Sequence, residues 1–191
     1  YLLQKIDSHP GKSGAAFFYV KRKMRINALS VANYFVDIAQ KEGKDLTPLG
    51  LIKRVYAAHG FSLAILNKSL LDERFDRVEA WRYGPVIPSV YHSFKYSKSE
   101  PIKEKAVVME WDQEKGEPRF VTPELDDEKA KIIVEMVWNR YRDFTDKDIV
   151  DLMHLKGTPW SAYYIENENR PIPDSETKAY YTALVNEILG K

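Results

Sequence analysis

The chain has 191 residues, 44% of them hydrophobic, 13% aromatic and 30% charged. That is enough apolar material to fill a core, which excludes wholesale disorder. It has no cysteine, which excludes disulfides, Cys-based zinc sites and a thiol nucleophile. The net charge is +1 but unevenly placed: residues 1–23 carry five basic side chains against Asp7, a net of +4, and the remainder nets −3. A slightly acidic body offers nucleic acid little, since such partners need a concentrated basic stripe. No apolar run approaches the ~20 residues of a spanning helix, so no membrane association and a cytoplasmic location are expected.

Residues 1–23 are expected to be an upstream extension or remnant, with the domain proper over 24–191. Residues 8–14 have loop composition and 15–20 are apolar, which also suits a strand-like arm that pairs with a partner. Gly11-Lys12-Ser13 ends like a phosphate loop, but Ile6 stands where the first glycine must be, so that reading is rejected.

Leu29, Ala32, Val36 and Ala39 recur at helical spacing and predict a helix over 27–43. Thr47-Pro48 predicts a second start, a threonine cap with proline at the first helical position. Leu51, Ile52, Val55, Tyr56, Ala58, Leu63 and Leu66 then mark a long buried helix ending near Asn67. Helical period is lost over 68–88, where Gly84-Pro85 is expected to form a turn because the residue before proline is pushed out of the helical region. Pro88 opens a short helix. Residues 107–111 and 119–121 predict two strands around a polar turn, one small antiparallel hairpin. Ile133, Val134, Val137, Trp138 and Tyr141 share one face of a third strong helix. Thr145 to Asp148 forms a capping pattern, Thr158-Pro159 begins another helical turn, and a last helix runs from about Asp174 to Gly190. The expected fold is mainly α (α+β), a single compact domain of five or six helices with that hairpin. The strand–helix alternation of a parallel sheet is missing, which excludes a doubly wound nucleotide-binding fold.

The histidines invite structural readings. His59 falls on the apolar face of the long helix, His92 lies among aromatics at the surface, and His154 ends a short helix, where the dipole stabilises a cation. No two histidines fall at i, i+4, and no Gly-x-Ser-x-Gly elbow or glycine-rich phosphate cradle occurs. No catalytic residue, metal site or cofactor is therefore expected; a hydrolase built on His59 or His154 is the weakest alternative. The stretch 81–91 is of a different kind. It concentrates Trp81, Arg82, Tyr83 and Tyr91, the residue types that dominate binding hot spots, between Gly84, Pro85 and Pro88, which stiffen the backbone. The same residues could instead plug the core.

That block, Glu79-Ala80-Trp81-Arg82-Tyr83-Gly84-Pro85-Val86-Ile87-Pro88-Ser89-Val90-Tyr91, resembles the signature of the Panacea antitoxin domain, the family of SocA-like antitoxins and phage-associated GepA proteins. Asp151-Leu152-Met153-His154-Leu155-Lys156-Gly157-Thr158-Pro159-Trp160 is similar to the family's histidine-to-Pro-Trp segment, and Arg170-Pro171-Ile172-Pro173 gives a weaker third match. The resemblance spans about 27–181. It implies a helical, non-enzymatic domain that binds and neutralises a cognate protein toxin; in some members the antitoxin instead hands a client to a cellular protease complex. The expected toxin-binding residues are Trp81, Arg82, Tyr83, Pro85, Pro88, Tyr91, His154, Pro159 and Trp160.

Overall fold

The computed structural model describes residues 26–112 and 115–191, so the expectation for 1–23 lies outside the described residues. α1 (Ala28–Lys41) starts at Asn27, whose side chain accepts the Ser30 N–H while Ser30 Oγ accepts the Asn27 N–H. α2 (Pro48–Leu66) starts at Thr47, whose hydroxyl accepts the Gly50 N–H, and ends on Asn67 in the left-handed region. β1 (Val78–Trp81), β2 (Gly84–Val86) and α3 (Pro88–Phe94) follow, then β3 (Val108–Asp112) and β4 (Glu117–Val121). The chain continues through α4 (Glu128–Tyr141), α5 (Asp146–His154), α6 (Pro159–Tyr163), β5 (Arg170–Ile172) and α7 (Asp174–Ile188).

The class is the expected one, mainly helical with a little antiparallel sheet. Two details differ. Seven α-helices form among the described residues, and a second sheet of order β2-β1-β5 joins the expected β3-β4 hairpin. The turn expected at Gly84-Pro85 lies one step earlier. Trp81 pairs with Gly84, so Arg82 and Tyr83 make a two-residue turn, and Gly84 takes φ +101° just after it. Pro85 then pairs with Ala80 and Pro171 with Glu79. Both prolines sit on edge strands, where a missing N–H that faces outward costs no ladder bond.

α2 is the axis of the fold. Every residue from Gly50 to Leu63 is buried. α1, α4, α7, α3, α5 and β2 all pack against it. Its length and composition would suit a membrane-crossing helix, but 78% of the relevant window is enclosed by the rest of the chain. The polar side chains it carries are therefore forced to find partners inside. The Arg54 guanidinium donates to the carbonyls of Tyr141 at 2.6 Å and Phe144 at 3.2 Å, and to Gly50 O at 3.1 Å. It thereby satisfies carbonyls left open at the end of α4.

Asn33 on α1 anchors the roots of the hairpin. Its amide donates to Ala106 O and Pro123 O, both at 3.0 Å, and its oxygen accepts the Ala106 N–H at 2.8 Å. All three bonds are buried. Asn33→Ala should lower unfolding free energy by about 3 kcal/mol, since each buried bond is worth about 1 kcal/mol and its former partners are left unpaired. Urea denaturation measures this; a loss under about 1 kcal/mol would mean water replaces the amide.

Candidate functional site

The two sequence blocks, more than sixty residues apart, meet in space. Trp160 on α6 donates its indole N–H to the Trp81 carbonyl at 2.7 Å. Trp81 in turn donates its indole N–H to Glu79 Oε2 at 2.8 Å and packs edge-on against Tyr91, ring centres 4.9 Å apart. Glu79 is itself held by Arg77 at 2.5 Å. On the other side of Trp160 the rings stack in a column: His154 at 3.8 Å and 11°, Tyr164 at 4.7 Å and 20°. Thr158 closes the approach to α6. Its hydroxyl donates to the Met153 and Leu155 carbonyls and accepts the Ser161 N–H.

Beside this column lies a cavity of about 570 Å³, walled by Trp81, Arg82, Tyr83, Tyr91 and Tyr164, by Ile52 and Lys53 of α2, by Lys95 and Lys98 after α3, and by residues 166–169. Of the expected binding residues, Trp81, Tyr91 and Trp160 are half-buried and Arg82 and Tyr83 exposed, Tyr83 at 60%. Pro88 and His154 are half-buried, while Pro85 and Pro159 are buried scaffold. Tyr83 is thus not a core plug, while Trp81 packs against the core on one side; both line the cavity, on a backbone set by the two-residue turn.

The floor of this region holds a residue that sequence reasoning missed. Lys53 is 0% exposed, and its ammonium donates to the Pro85 carbonyl at 2.9 Å. Burial pushes it from its usual 10.5 down to about 7. A Cβ at Gly84 would lie 3.0 Å from Lys53 Nζ and 3.5 Å from His154 Nε2, so glycine at 84 leaves the space those two nitrogens share. His154 Nε2 is buried and has no hydrogen-bond partner among the described residues. Its ring is held below the usual histidine range, first by burial and then by the Lys53 charge, against a weaker pull from Asp151. Burial and the neighbouring lysine thus oppose the cation that the end of α5 favours. His59 is fully buried; Nδ1 faces the Leu70 N–H at 3.4 Å and Nε2 meets Asp174 at 3.0 Å. Held at both nitrogens, the ring serves as a clamp between α2 and α7. No cluster of His, Asp and Glu able to hold a metal occurs among the described residues.

A signal for Lys53 was present. A helix apolar on every face is a core helix, so any charge written into it is a buried charge. A second exposed surface also escaped notice: Met109 and Phe120 are cross-strand partners on the hairpin, and with Trp111 they are 68%, 79% and 64% exposed.

Comparison with known proteins gives the family. The family model for "Antitoxin SocA-like, Panacea domain" matches residues 51–161, which hold Lys53, the 81–91 block and the His154–Trp160 turn. A curated relative, Antitoxin SocA of Caulobacter vibrioides (strain NA1000 / CB15N), is 30% identical over 135 residues, 71% of this chain and 69% of that protein. No solved structure matches. The chain belongs to the SocA-like antitoxin family defined by the Panacea domain.

Proposed function

We propose that this protein neutralises a cognate protein toxin by binding it directly, without chemistry on either chain. The observation that carries the reading is the concave face itself. Trp81 and Tyr91 are fixed edge to face, and Tyr83 and Arg82 project beside them, Arg82 lying 5.6 Å over the Tyr83 ring. Preset aromatic rings lose little freedom on binding, and residues of these types supply most interface energy. The domain responsible is taken to span 24–191. The indole N–H groups of Trp81 and Trp160 are spent internally, so Trp160 positions Trp81 and the outer rings make the contacts.

Co-expression with the product of the neighbouring gene tests this. Growth should be restored by the wild-type chain and the two proteins should co-purify. Because Tyr83 is mostly exposed, Tyr83→Ala should leave the thermal midpoint unchanged while weakening the complex by about 2 kcal/mol, roughly thirtyfold. Persistent arrest with both proteins soluble would refute neutralisation, and an unchanged affinity would move the contact away from this face.

A further inference from the structure

We propose that the cavity beside Trp81 takes an acidic segment of the toxin, one aspartate or glutamate side chain reaching Lys53 and others meeting Lys95 and Lys98. This deepens the antitoxin reading and rests on it. Three features of the cavity converge. First, among the described residues the buried Lys53 ammonium has one hydrogen-bond acceptor, the Pro85 carbonyl, for its three N–H donors. Burying an ammonium with so little compensation is costly, and a carboxylate is the group that relieves it. Second, the wall is basic on balance: Lys53, Arg82, Lys95 and Lys98 against Glu166 and Glu168, and Glu168 is already held by Arg170 at 2.6 Å. Third, Trp81, Tyr83, Tyr91 and Tyr164 stand alongside the charges, a setting for the apolar side chains that flank an acidic residue in a polypeptide. A chain-terminal carboxylate is usually gathered by successive backbone N–H groups, whereas the cations here are side chains. Nucleic acid would set its phosphates against Glu166 and Glu168, and the chain as a whole is nearly neutral.

Occupancy has a protonic signature. At pH 8 the free Lys53 is mostly neutral, since burial holds it at about 7. A carboxylate brought against it raises that value, so the complex takes a proton from solvent. Besides the charged wall residues just named, the titratable group beside Lys53 is His154, whose Nε2 shares the space next to Gly84 and which Asp151 acts on in turn. The Lys53→Met variant separates its proton from theirs.

The test is isothermal calorimetry of the full chain with the purified product of the adjacent gene, at pH 8 in phosphate and in Tris. Wild type should take up about one proton per complex, and Lys53→Met, with the fold checked by circular dichroism, should take up none. Lys95→Glu/Lys98→Glu, altering two wall residues outside the core, should raise Kd at least tenfold, and wild-type affinity should fall with added salt. If wild type binds but the double variant stays within twofold and no proton is taken up, this inference is overturned while the antitoxin reading stands. If wild type forms no complex, both fall. Loss of binding only on trimming the toxin's last residue would point to a terminal carboxylate and overturn the side-chain assignment. Micromolar capture of a single-stranded DNA 12-mer, abolished by the double variant without effect on the toxin, would overturn it in favour of nucleic acid.

Discussion

Gly60→Ala should destabilise the protein by about 3 kcal/mol or more, although alanine is the better helix former by about 1 kcal/mol. The added Cβ would fall 2.2, 2.3 and 2.7 Å from three carbons of the Tyr181 ring. That ring cannot swing aside. It is 2% exposed and packed edge-on against Tyr56 at 5.8 Å and Phe61 at 4.9 Å. The remaining relief is to lift α7 from α2, which would pull Asp174 from His59. Chemical denaturation of the two single variants and the pair Gly60→Ala/Tyr181→Ala measures the effect. The pair should be less destabilised than the singles added together, by at least about 1 kcal/mol, because removing the ring removes the collision. Strict additivity would show that the cost of alanine arises elsewhere.

Lys53→Met should make the protein more stable at neutral pH, by about 3 kcal/mol. Lys53 titrates at about 7 in the folded chain against 10.5 ordinarily. Between those values the unfolded chain holds a proton that the folded chain has released, so wild-type stability rises with pH across that window. Each unit of displacement corresponds to about 1.4 kcal/mol, and the side chain is 0% exposed at the base of the cavity, so solvent screening takes little away. Methionine matches the length of the lysine stem and has no charge to desolvate. It does leave the Pro85 carbonyl without its donor, a loss of about 1 kcal/mol that trims the gain. The advantage of the variant should be largest at pH 7 and below and should shrink steadily towards pH 10. Urea midpoints of both proteins at pH 7, 8.5 and 10 decide it; curves that run parallel across that range would mean Lys53 is not held near 7. A stability gain from deleting a charge also fits a residue kept for binding.

The helices were legible because each has a local start and a repeating face. Thr47-Pro48, Thr145 and Thr158-Pro159 cap where the sequence places them, and the third strong helix buries Ile133, Val134, Val137, Trp138 and Tyr141 as its spacing requires. The β2-β1-β5 sheet was not legible. Its strands are three or four residues long, two of them contain proline, and β5 arrives from more than eighty residues away to pair Val78 with Ile172. Nothing local announces such a pairing. The site was half visible: composition singled out Trp81, Arg82, Tyr83 and Tyr91, but not the stacking of Trp160 between His154 and Tyr164, nor the lysine beneath Gly84. Those depend on α5 and α6 folding back over the β1–β2 turn, which only the tertiary structure reveals.

The stretch matched by the family model closes at residue 161, before α7 begins, and opens at residue 51, inside α2. A fragment cut to those limits would lose two sides of the wall around its own axis, α1 and α7, and the threonine that starts α2, and from the aromatic face Tyr164, the 166–169 wall and the β5 strand that pairs with β1. Phe61 would then lose Tyr181, and His59 would lose Asp174. The stretch that the family model covers is thus smaller than what this chain needs to hold that stretch in shape, and a minimal version has to be drawn from the packing of α2, not from the limits of similarity.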